Sequence, residues 1–457
     1  MYHLNRIKNK KIAYLSLGCK VNAYETEAME EILSSYGAVT VDFKEAADIY
    51  VVNTCTVTNV ADRKSRQTLH RARKQNPQAV VAAVGCYTQA FYREHIADET
   101  IDLLIGNRRK SEIADILDRY FTEKEEGKIP EKVYVSENKA EFEPLSIRDT
   151  REHTRAFIKI QDGCNQFCSY CIIPYARGRI VSRSSEDIIR EATELSEKGF
   201  REIVLTGIHI SSYGFDDCTN TEQLALRRND GRLPFIGLLR ELQNIPKIDR
   251  IRLGSLEPRI ITEKFCRELS GLSKVCPHFH LSLQSGSDRT LKAMNRRYGT
   301  ADYEESVALL RKYFDNPAIT TDIIAGFPGE NEEDFLDSLA FAEKIGFSRI
   351  HVFPYSRRKG TVADRMENQV SDSDKKKREK GLLVAAEKLR RSYELSLSGK
   401  VLPVLLEEKL EINGESYTMG HVPQYVRVVL KTDRNPGEIV NVRLTEERLS
   451  DSVLGIL

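Results

Sequence analysis

The middle of the chain alternates short apolar runs with amphipathic segments, and this alternation restricts the fold more than any other feature. The segment 184–198 opens with SSED, in which Ser184 or Ser185 can cap a helix. Strands that alternate with helices of roughly 10–15 residues form parallel sheets. We therefore predict an α/β domain over residues 150–380. The six strand-like runs are 157–160, 203–210, 248–256, 278–283, 319–325 and 350–354.

Each of these runs ends in small or polar residues. In barrels and open α/β sheets, the carboxyl ends of parallel strands carry the chemistry. Any one of these strand ends can be an ordinary turn. Because all six occur at the same end of their strands as a cysteine-rich loop, we predict that they line one opening of the domain, here called the mouth. The residues expected there are Thr206, Gly207, Ser255, Glu257, Gln284, Ser285, Gly326 and Pro328.

The first of the six runs enters a loop with three closely spaced cysteines. The segment FIKIQDGCNQFCSYC places Cys164, Cys168 and Cys171, here called the barrel triplet, at C-x3-C-x2-C spacing. Soft thiolates select iron–sulfur clusters, zinc or copper. A structural zinc site usually closes with four ligands, but the next cysteine is Cys218, and no histidine precedes His209 in that interval. Three ligands on a four-iron cluster would leave one iron open; a zinc site and three incidental thiols are the alternatives.

The first 110 residues contain a second, more widely spaced repeat of cysteines. The apolar runs KIAYLSLGC, ADIYVVNTC and AVVAAVGC end at Cys19, Cys55 and Cys86, here called the amino-terminal triplet. The intervals of 36 and 31 residues fit βαβ units, with helices expected over 23–36 and 62–74. The ends of parallel strands meet at one sheet edge, so the three thiols should converge.

These observations predict a parallel-sheet α/β domain over residues 10–122 that holds a second three-cysteine site. The alternative is that strand-end cysteines are simply buried small residues. Asn22, Asn53 and Thr54 lie beside the triplet in sequence and could donate hydrogen bonds to cluster sulfurs. The charged segment 123–132 is interpreted as a linker.

The carboxyl-terminal region has a different pattern of short β-prone runs separated by turn residues. Such spacing predicts a small all-β barrel or sandwich over residues 393–457. The runs are 401–406, 417–419, 425–430 and 439–444.

The net charge of +1 conceals two basic segments. Residues 62–74 carry six Lys or Arg and one acidic residue, and residues 375–391 carry eight against two. Such runs are usually solvated helix faces, and phosphate binding is favoured only if the chemistry involves RNA. From residue 393 onward the balance reverses, with seven basic and ten acidic residues.

The cysteine count and the start of the chain bear on the compartment. Nine cysteines, an odd number, without a secretory signal favour metal binding or catalysis in a reducing cytoplasm over a disulfide framework. No apolar run reaches the roughly 18–20 residues that span a bilayer. Cys218, Cys266 and Cys276 lack ligand spacing and are expected to be inert.

The barrel triplet, with Tyr170 before its last cysteine, resembles the radical S-adenosylmethionine (SAM) superfamily. The segments LGCKVNAYETE, NTCTVT and VGCYTQ resemble the methylthiotransferase family, and this resemblance extends over nearly the whole chain. It implies a partial (β/α)6 barrel, a [4Fe–4S] cluster on each triplet and a carboxyl-terminal TRAM domain that binds RNA. The barrel cluster would bind SAM, with Tyr170 near the adenine and Thr206 and Gly207 near the amino group. Ser255, Glu257 and Gln284 would also contribute to the SAM site.

The resemblance further implies insertion of sulfur into a C–H bond, initiated by a 5′-deoxyadenosyl radical, and methylation of that sulfur. The variant Lys20-Val21-Asn22 is similar to the branch that acts at C2 of N6-threonylcarbamoyladenosine next to the tRNA anticodon. Isopentenyladenosine in tRNA and an aspartate of a ribosomal protein are alternative substrates. A non-catalytic iron–sulfur RNA-binding protein is the alternative from another class. The expected partners are a tRNA anticodon stem-loop and an electron donor such as flavodoxin or ferredoxin, with no membrane and a monomeric chain.

Overall fold

The amino-terminal domain is built on a six-stranded parallel sheet. The computed structural model describes residues 6–136, 141–149, 154–218, 223 and 233–457. The strand order is β2-β1-β3-β4-β5-β6, and β3 and β4 are buried at every residue because both sheet faces are covered. The elements are β1 (Lys11–Ser16), α1 (Lys20–Ser35), β2 (Val39–Val41), β3 (Ile49–Thr54), α2 (Asn59–Gln75), β4 (Val80–Gly85), α3 (Cys86–His95), β5 (Leu103–Ile105), α4 (Ile113–Glu125) and β6 (Val133–Tyr134).

The sheet extends past residue 122, because β6 pairs in parallel with β5. Residues 123–125, which the sequence pattern places in a linker, form the last turn of α4. The strand β2 was also not predicted; it has only three residues and lies at the sheet edge.

The central domain is an open barrel of six parallel strands, and all six predicted strands are present. Two sheets, ordered β10-β9-β7-β8 and β11-β12-β13, are joined by the parallel bridges Ile251–Val275 and Leu256–Leu281. The short β8 is antiparallel to β7 and was not predicted. The strands are β7 (Ala156–Asp162), β8 (Val181–Ser182), β9 (Glu202–Gly207), β10 (Arg250–Leu253), β11 (His278–His280), β12 (Ala318–Ala325) and β13 (Arg349–Pro354).

Helices cover the outer face of this barrel, and the cap predicted at Ser184 or Ser185 is found at Ser184. Ser184 accepts a hydrogen bond from the Asp187 N–H at the start of α6, and Asn331 forms a capping box with Asp334 at the start of α11. The expected domain start at residue 150 lies outside the described residues. The helices are α5 (Ile173–Arg177), α6 (Ser185–Glu197), α7 (Pro234–Leu242), α8 (Glu263–Ser270), α9 (Asp288–Ala293), α10 (Thr300–Tyr313), α11 (Glu332–Ile345) and α12 (Asp372–Leu395).

The carboxyl-terminal domain is a closed all-β barrel with the order β14-β15-β16-β18-β17. Four of its strands were predicted. The fifth, β18, was missed because it follows β17 after a two-residue turn in which Ser450 has φ +59°. The strands are β14 (Val401–Ile412), β15 (Glu415–His421), β16 (Arg427–Leu430), β17 (Ile439–Leu449) and β18 (Ser452–Ile456). The predicted α/β class with a small all-β carboxyl-terminal barrel is confirmed.

The central and carboxyl-terminal domains are joined by buried polar contacts. Arg250 donates hydrogen bonds to the carbonyls of His421 and Pro403 at 3.0 and 2.6 Å, and Arg252 donates to that of Pro423 at 2.8 Å. Both guanidiniums also pair with the buried Glu202. The carboxyl-terminal barrel is thereby fixed against the central one. Among the described residues, no helix is both long and apolar enough to cross a membrane.

Candidate active site

The barrel triplet lies in the loop that connects the carboxyl end of β7 to α5. Gly163, with φ +71°, begins this loop, and a side chain there would collide with the Arg179 carbonyl. The Cys164 N–H donates to the Gly178 carbonyl at 3.0 Å, which closes the loop on itself. The sequence therefore folds into a tight loop that can bring three thiols to one side.

The three thiols of the barrel triplet interact electrostatically. Burial raises the pKa of Cys164, and the neighbouring Cys168 adds to that increase. Burial also raises the pKa of Cys171 to about 12, with Cys168 again contributing. Arg296 donates an N–H to the Cys168 sulfur at 3.2 Å. An arginine at this distance would compensate negative charge on a thiolate ligand, although its sequence position gives no signal of that role.

The predicted mouth residues lie at the carboxyl ends of the strands, as expected from the sequence. Thr206 and Gly207 end β9, and a side chain at Gly207 would lie 2.9 Å from the Gln161 carbonyl, so the two backbones approach closely. Gln284 is buried with φ +75°, and its N–H donates to the Asp322 carbonyl at 2.9 Å.

Other predicted mouth residues differ in accessibility. Glu257 is buried and pairs with Arg259, whereas Ser255 is exposed. His209 lies 3.8 Å from Glu257 and within 3.5 Å of the Gln166 amide. Tyr170 packs edge-on against Phe327, with ring centroids 6.5 Å apart, and so lies at the same mouth.

The amino-terminal triplet is brought together by the ends of β1, β3 and β4. Cys19 precedes α1, Cys55 follows β3, and Cys86 begins α3. Burial raises the pKa of Cys55 to about 12, and the Cys86 and Cys19 thiols add to this increase. Cys19 is exposed while Cys55 and Cys86 are buried, so the group opens to one side.

Gly18 makes this convergence possible. Its φ is +99°, and a methyl group there would lie 2.5 Å from the Cys55 sulfur. The backbone at residue 18 therefore forms one wall of the thiol site, and any side chain would fill the space beside the ligand.

The hydrogen-bond donors to the amino-terminal triplet differ from those expected. Arg177 donates Nε–H to the Cys86 sulfur at 3.1 Å, and Asn107 donates its amide at 3.4 Å. Asn22 instead donates to backbone carbonyls, as does Asn53, while the Thr54 hydroxyl donates to the Val84 carbonyl at 2.5 Å. These three residues hold together the strand ends that carry the cysteines, and Asn22 also accepts a hydrogen bond from the Cys19 thiol at 3.9 Å. Their hydrogen bonding to cluster sulfurs stays a prediction.

Arg177 belongs to the central domain and reaches into a buried ionic cluster shared with the amino-terminal one. It donates to Glu25 of α1 at 2.8 Å and pairs with Asp162 at 3.1 Å. Lys159 of β7 approaches the same Glu25 carboxylate at 2.7 Å, and Lys110 does so at 3.4 Å. No sequence signal identifies this cluster, since Glu25 and Arg177 are 152 positions apart.

The two triplets fit iron–sulfur clusters by their donor chemistry. Each consists only of thiols, and in the amino-terminal triplet Gly18 leaves a space that a side chain would occupy. Within the described ranges, no three His, Cys, Asp or Glu side chains are grouped to hold a single metal ion. A cluster of four irons spreads its ligands farther apart than a single ion does, and thiolates are its usual ligands.

The other three cysteines are buried, consistent with inert thiols. Burial raises the pKa of Cys266 to about 12 and that of Cys276 to about 11, which disfavours the reactive thiolate. Cys218 packs against Phe215.

Comparison with known proteins places these features in a family. The model of the Radical SAM superfamily matches residues 158–342, and that of Uncharacterized protein family UPF0004 matches residues 11–106. The chain is similar in fold to the radical S-adenosylmethionine methyltransferase TsrM from Kitasatospora setae, with a TM-score of 0.52 and 15% identity over 76% of this chain and 73% of that one.

Relatives in sequence cover almost the entire chain. Threonylcarbamoyladenosine tRNA methylthiotransferase MtaB of Bacillus subtilis (strain 168) is 38% identical over 95% of this chain and 93% of its own length. The protein of the same name from Aquifex aeolicus (strain VF5) is 37% identical over 89% and 95%. The tRNA-2-methylthio-N(6)-dimethylallyladenosine synthase of Clostridium perfringens (strain SM101 / Type A) is 34% identical over 96% of each chain. The chain therefore belongs to the radical SAM tRNA methylthiotransferases, a family of enzymes that use SAM and a [4Fe–4S] cluster.

Proposed function

We propose that this enzyme methylthiolates C2 of N6-threonylcarbamoyladenosine next to the tRNA anticodon, using two [4Fe–4S] clusters. The observation that carries the two-cluster proposal is the contact made by Arg177. This residue ends the helix α5 that follows the barrel triplet, yet it donates to the Cys86 sulfur of the amino-terminal triplet. The helix that follows the barrel triplet thus reaches the amino-terminal triplet through one buried side chain, which supports a reaction with one cluster in each domain.

The residues of the chain have distinct roles in this proposal. The barrel triplet would hold the cluster that binds SAM, and the amino-terminal triplet would hold the second cluster. When bound, these groups supply the radical and sulfur chemistry of the family. Arg296 and Arg177 each donate to one thiol of a triplet, which favours the negatively charged ligand set. The proposed SAM contacts are Tyr170, Thr206, Gly207, Ser255, Glu257 and Gln284.

The choice of threonylcarbamoyladenosine is supported by the relatives. Proteins of that name are 36–38% identical, whereas the dimethylallyladenosine enzymes are 34% identical. The difference is small, so the competing substrate remains a defined outcome of the test below.

We also propose how the RNA and the electron donor are accommodated. The carboxyl-terminal barrel, residues 393–457, is assigned as the TRAM domain, and the anticodon stem-loop would contact it together with basic residues of α2 and α12. The boundaries 10–122 and 150–380 are our proposal for the two catalytic domains, with β6 beyond residue 122 completing the first sheet. We further propose that the enzyme is a monomer, and that it acts in the cytoplasm, where tRNA is modified. Its electrons would come from a flavodoxin or ferredoxin.

The test is a direct comparison of substrates. Protein reconstituted anaerobically is incubated with SAM, dithionite and anticodon stem-loops that carry either threonylcarbamoyladenosine or isopentenyladenosine. Mass spectrometry of the digested RNA should detect the 2-methylthio product only in the first. The variant Cys276→Ser, which changes a cysteine outside both triplets, serves as the matched control. Product on the isopentenyladenosine RNA alone would overturn the substrate assignment. Absence of 5′-deoxyadenosine from all reactions would overturn the proposed radical chemistry.

A further inference from the structure

The concave face of the central barrel carries a polar group opposite its helix-covered face. On β12, Ile319 and Ile323 are buried in the apolar core, whereas Thr320 and Asp322 point the other way. His280 lies 3.3 Å from the Asp322 carboxylate and 3.0 Å from the Thr320 hydroxyl. The Asp322 side chain keeps 31% of its surface accessible, so the pair can be reached from the barrel interior.

A lysine from the amino-terminal domain enters the same space. Lys20 is the first residue of α1, directly after Cys19, and is exposed. Its ammonium lies 5.9 Å from the ring of Tyr425, which in turn lies 4.9 Å from the ring of His278 on β11. His278 lies 3.2 Å from the same Thr320 hydroxyl that His280 contacts. Lys20 is therefore connected, through Tyr425 and His278, to the polar group on β11 and β12.

Lys20 differs from the neighbouring cations in its lack of a counterion. Arg155 pairs with Glu407 at 3.3 Å, and Arg252 pairs with Glu202 at 2.7 Å. In the part of the chain that the structure describes, the Lys20 ammonium has neither an ion-pair partner nor a hydrogen-bond acceptor. A cation placed next to two arginines favours the approach of an anion, because unlike charge relieves the repulsion.

We propose that Lys20 binds the carboxylate of the threonyl group on the substrate base, while Asp322 and His280 bind its hydroxyl and urea groups. This inference rests on the proposed function, and it names the residues that select the substrate. An isopentenyl group offers no partner to an ammonium, so binding it here would leave the Lys20 ammonium unpaired and desolvated. Such loss of hydration is unfavourable, which makes the site selective by rejection as well as by attraction.

The test compares two stem-loops that differ in one group. One carries threonylcarbamoyladenosine, and the other carries its neutral carboxamide in place of the carboxylate. Affinities of the reconstituted protein are measured by fluorescence anisotropy, and kcat/KM is measured in parallel. The wild type should prefer the acid about 10- to 100-fold, as expected for one hydrogen bond to a charged group. Lys20→Met should abolish that preference and Lys20→Arg should retain most of it, while Lys344→Met, on the outer face of α11, should behave as wild type.

The ratio of the two affinities within each variant makes the result independent of general damage. Iron analysis shows whether Lys20→Met has disturbed the adjacent Cys19. The ratio of the affinities for the acid and the carboxamide is interpreted in either case. A Lys20→Met protein that still prefers the acid overturns the inference while leaving the proposed function intact. If the wild type modifies only isopentenyladenosine, the proposed function fails instead, so the two failures are distinguishable.

A second variant tests the other half of the site. Asp322→Asn should reduce the preference for the threonyl group over a glycyl analogue, which keeps the carboxylate but lacks the hydroxyl. An unchanged preference would remove Asp322 from the site.

Discussion

Replacing Glu25 by Gln should loosen the contact between the amino-terminal and central domains. The Glu25 side chain is fully buried and faces three buried cations, Lys159 at 2.7 Å, Arg177 at 2.8 Å and Lys110 at 3.4 Å. Removal of one partner from such a cluster leaves the remaining charges uncompensated and typically costs about 3–5 kcal/mol. Total stabilities of single domains are about 5–15 kcal/mol, so the loss should be large relative to the whole.

The effect should depend on pH in a defined direction. Although burial opposes ionisation of Glu25, Arg177, Lys110 and Lys159 hold its pKa well below the usual range. A carboxylate with a depressed folded-state pKa contributes stability above its unfolded pKa, near 4.3, and loses it as pH falls through the folded value. Wild type and Glu25→Gln should therefore differ most near neutral pH, and their stabilities should approach each other in acid.

The assay is urea unfolding of the reconstituted protein at neutral and acidic pH, combined with hydrogen exchange. Exchange resolves the amides of α1 and β7 separately, which matters because a three-domain chain need not unfold in two states. Glu304→Gln is the matched control, since Glu304 forms an exposed pair with Lys344 at 2.7 Å and should matter little. Equal and small effects of the two substitutions, or a difference that grows in acid, would refute this account of the buried cluster.

Three further predictions concern the clusters and the carboxyl-terminal barrel. Conversion of the amino-terminal triplet to Ala should lower bound iron from about eight to about four atoms per chain, and unchanged iron would disprove that site. Gly18→Ala should cause a similar loss of iron, because its methyl group would lie 2.5 Å from the Cys55 sulfur. The control Gly399→Ala, at a position with open space around it, should retain iron. Equal iron in both variants would contradict the steric argument. Tyr425→Ala removes a ring that lies 4.6 Å from the Arg252 guanidinium, so exchange of β10 amides should increase, and protection equal to wild type would show that this contact is dispensable.

Local signals in the sequence were sufficient for most of the architecture. The six barrel strands were predicted because each is an apolar run bounded by a helix and a turn. A cap at Ser184 or Ser185 was predicted from the acidic residues that follow, and the structure shows it at Ser184. Short strands such as β8 and β18 were missed, since two to five residues carry too little periodicity to be recognised.

The site was predictable only where its residues are close in sequence or recur at the same position of successive strands. The barrel triplet lies within eight residues, and the amino-terminal triplet follows from the direction of parallel strands. Arg177 and Arg296 could not be assigned to their sulfur acceptors, because these contacts join residues 91 and 128 positions apart. The same limitation applies to the hydrogen bonds that Asn22, Asn53 and Thr54 donate to backbone carbonyls, because proximity in sequence does not fix the direction of a side chain.

The most direct test of the central claim is the nucleoside content of tRNA from cells with and without this gene. Mass spectrometry of digested tRNA should show 2-methylthio-threonylcarbamoyladenosine in the parent strain and only the unmethylthiolated nucleoside in the deletion strain. Restoration should require a gene with both triplets intact, while the Cys276→Ser gene should complement fully. Undiminished 2-methylthio-threonylcarbamoyladenosine in a deletion strain that has no paralogue would contradict the account.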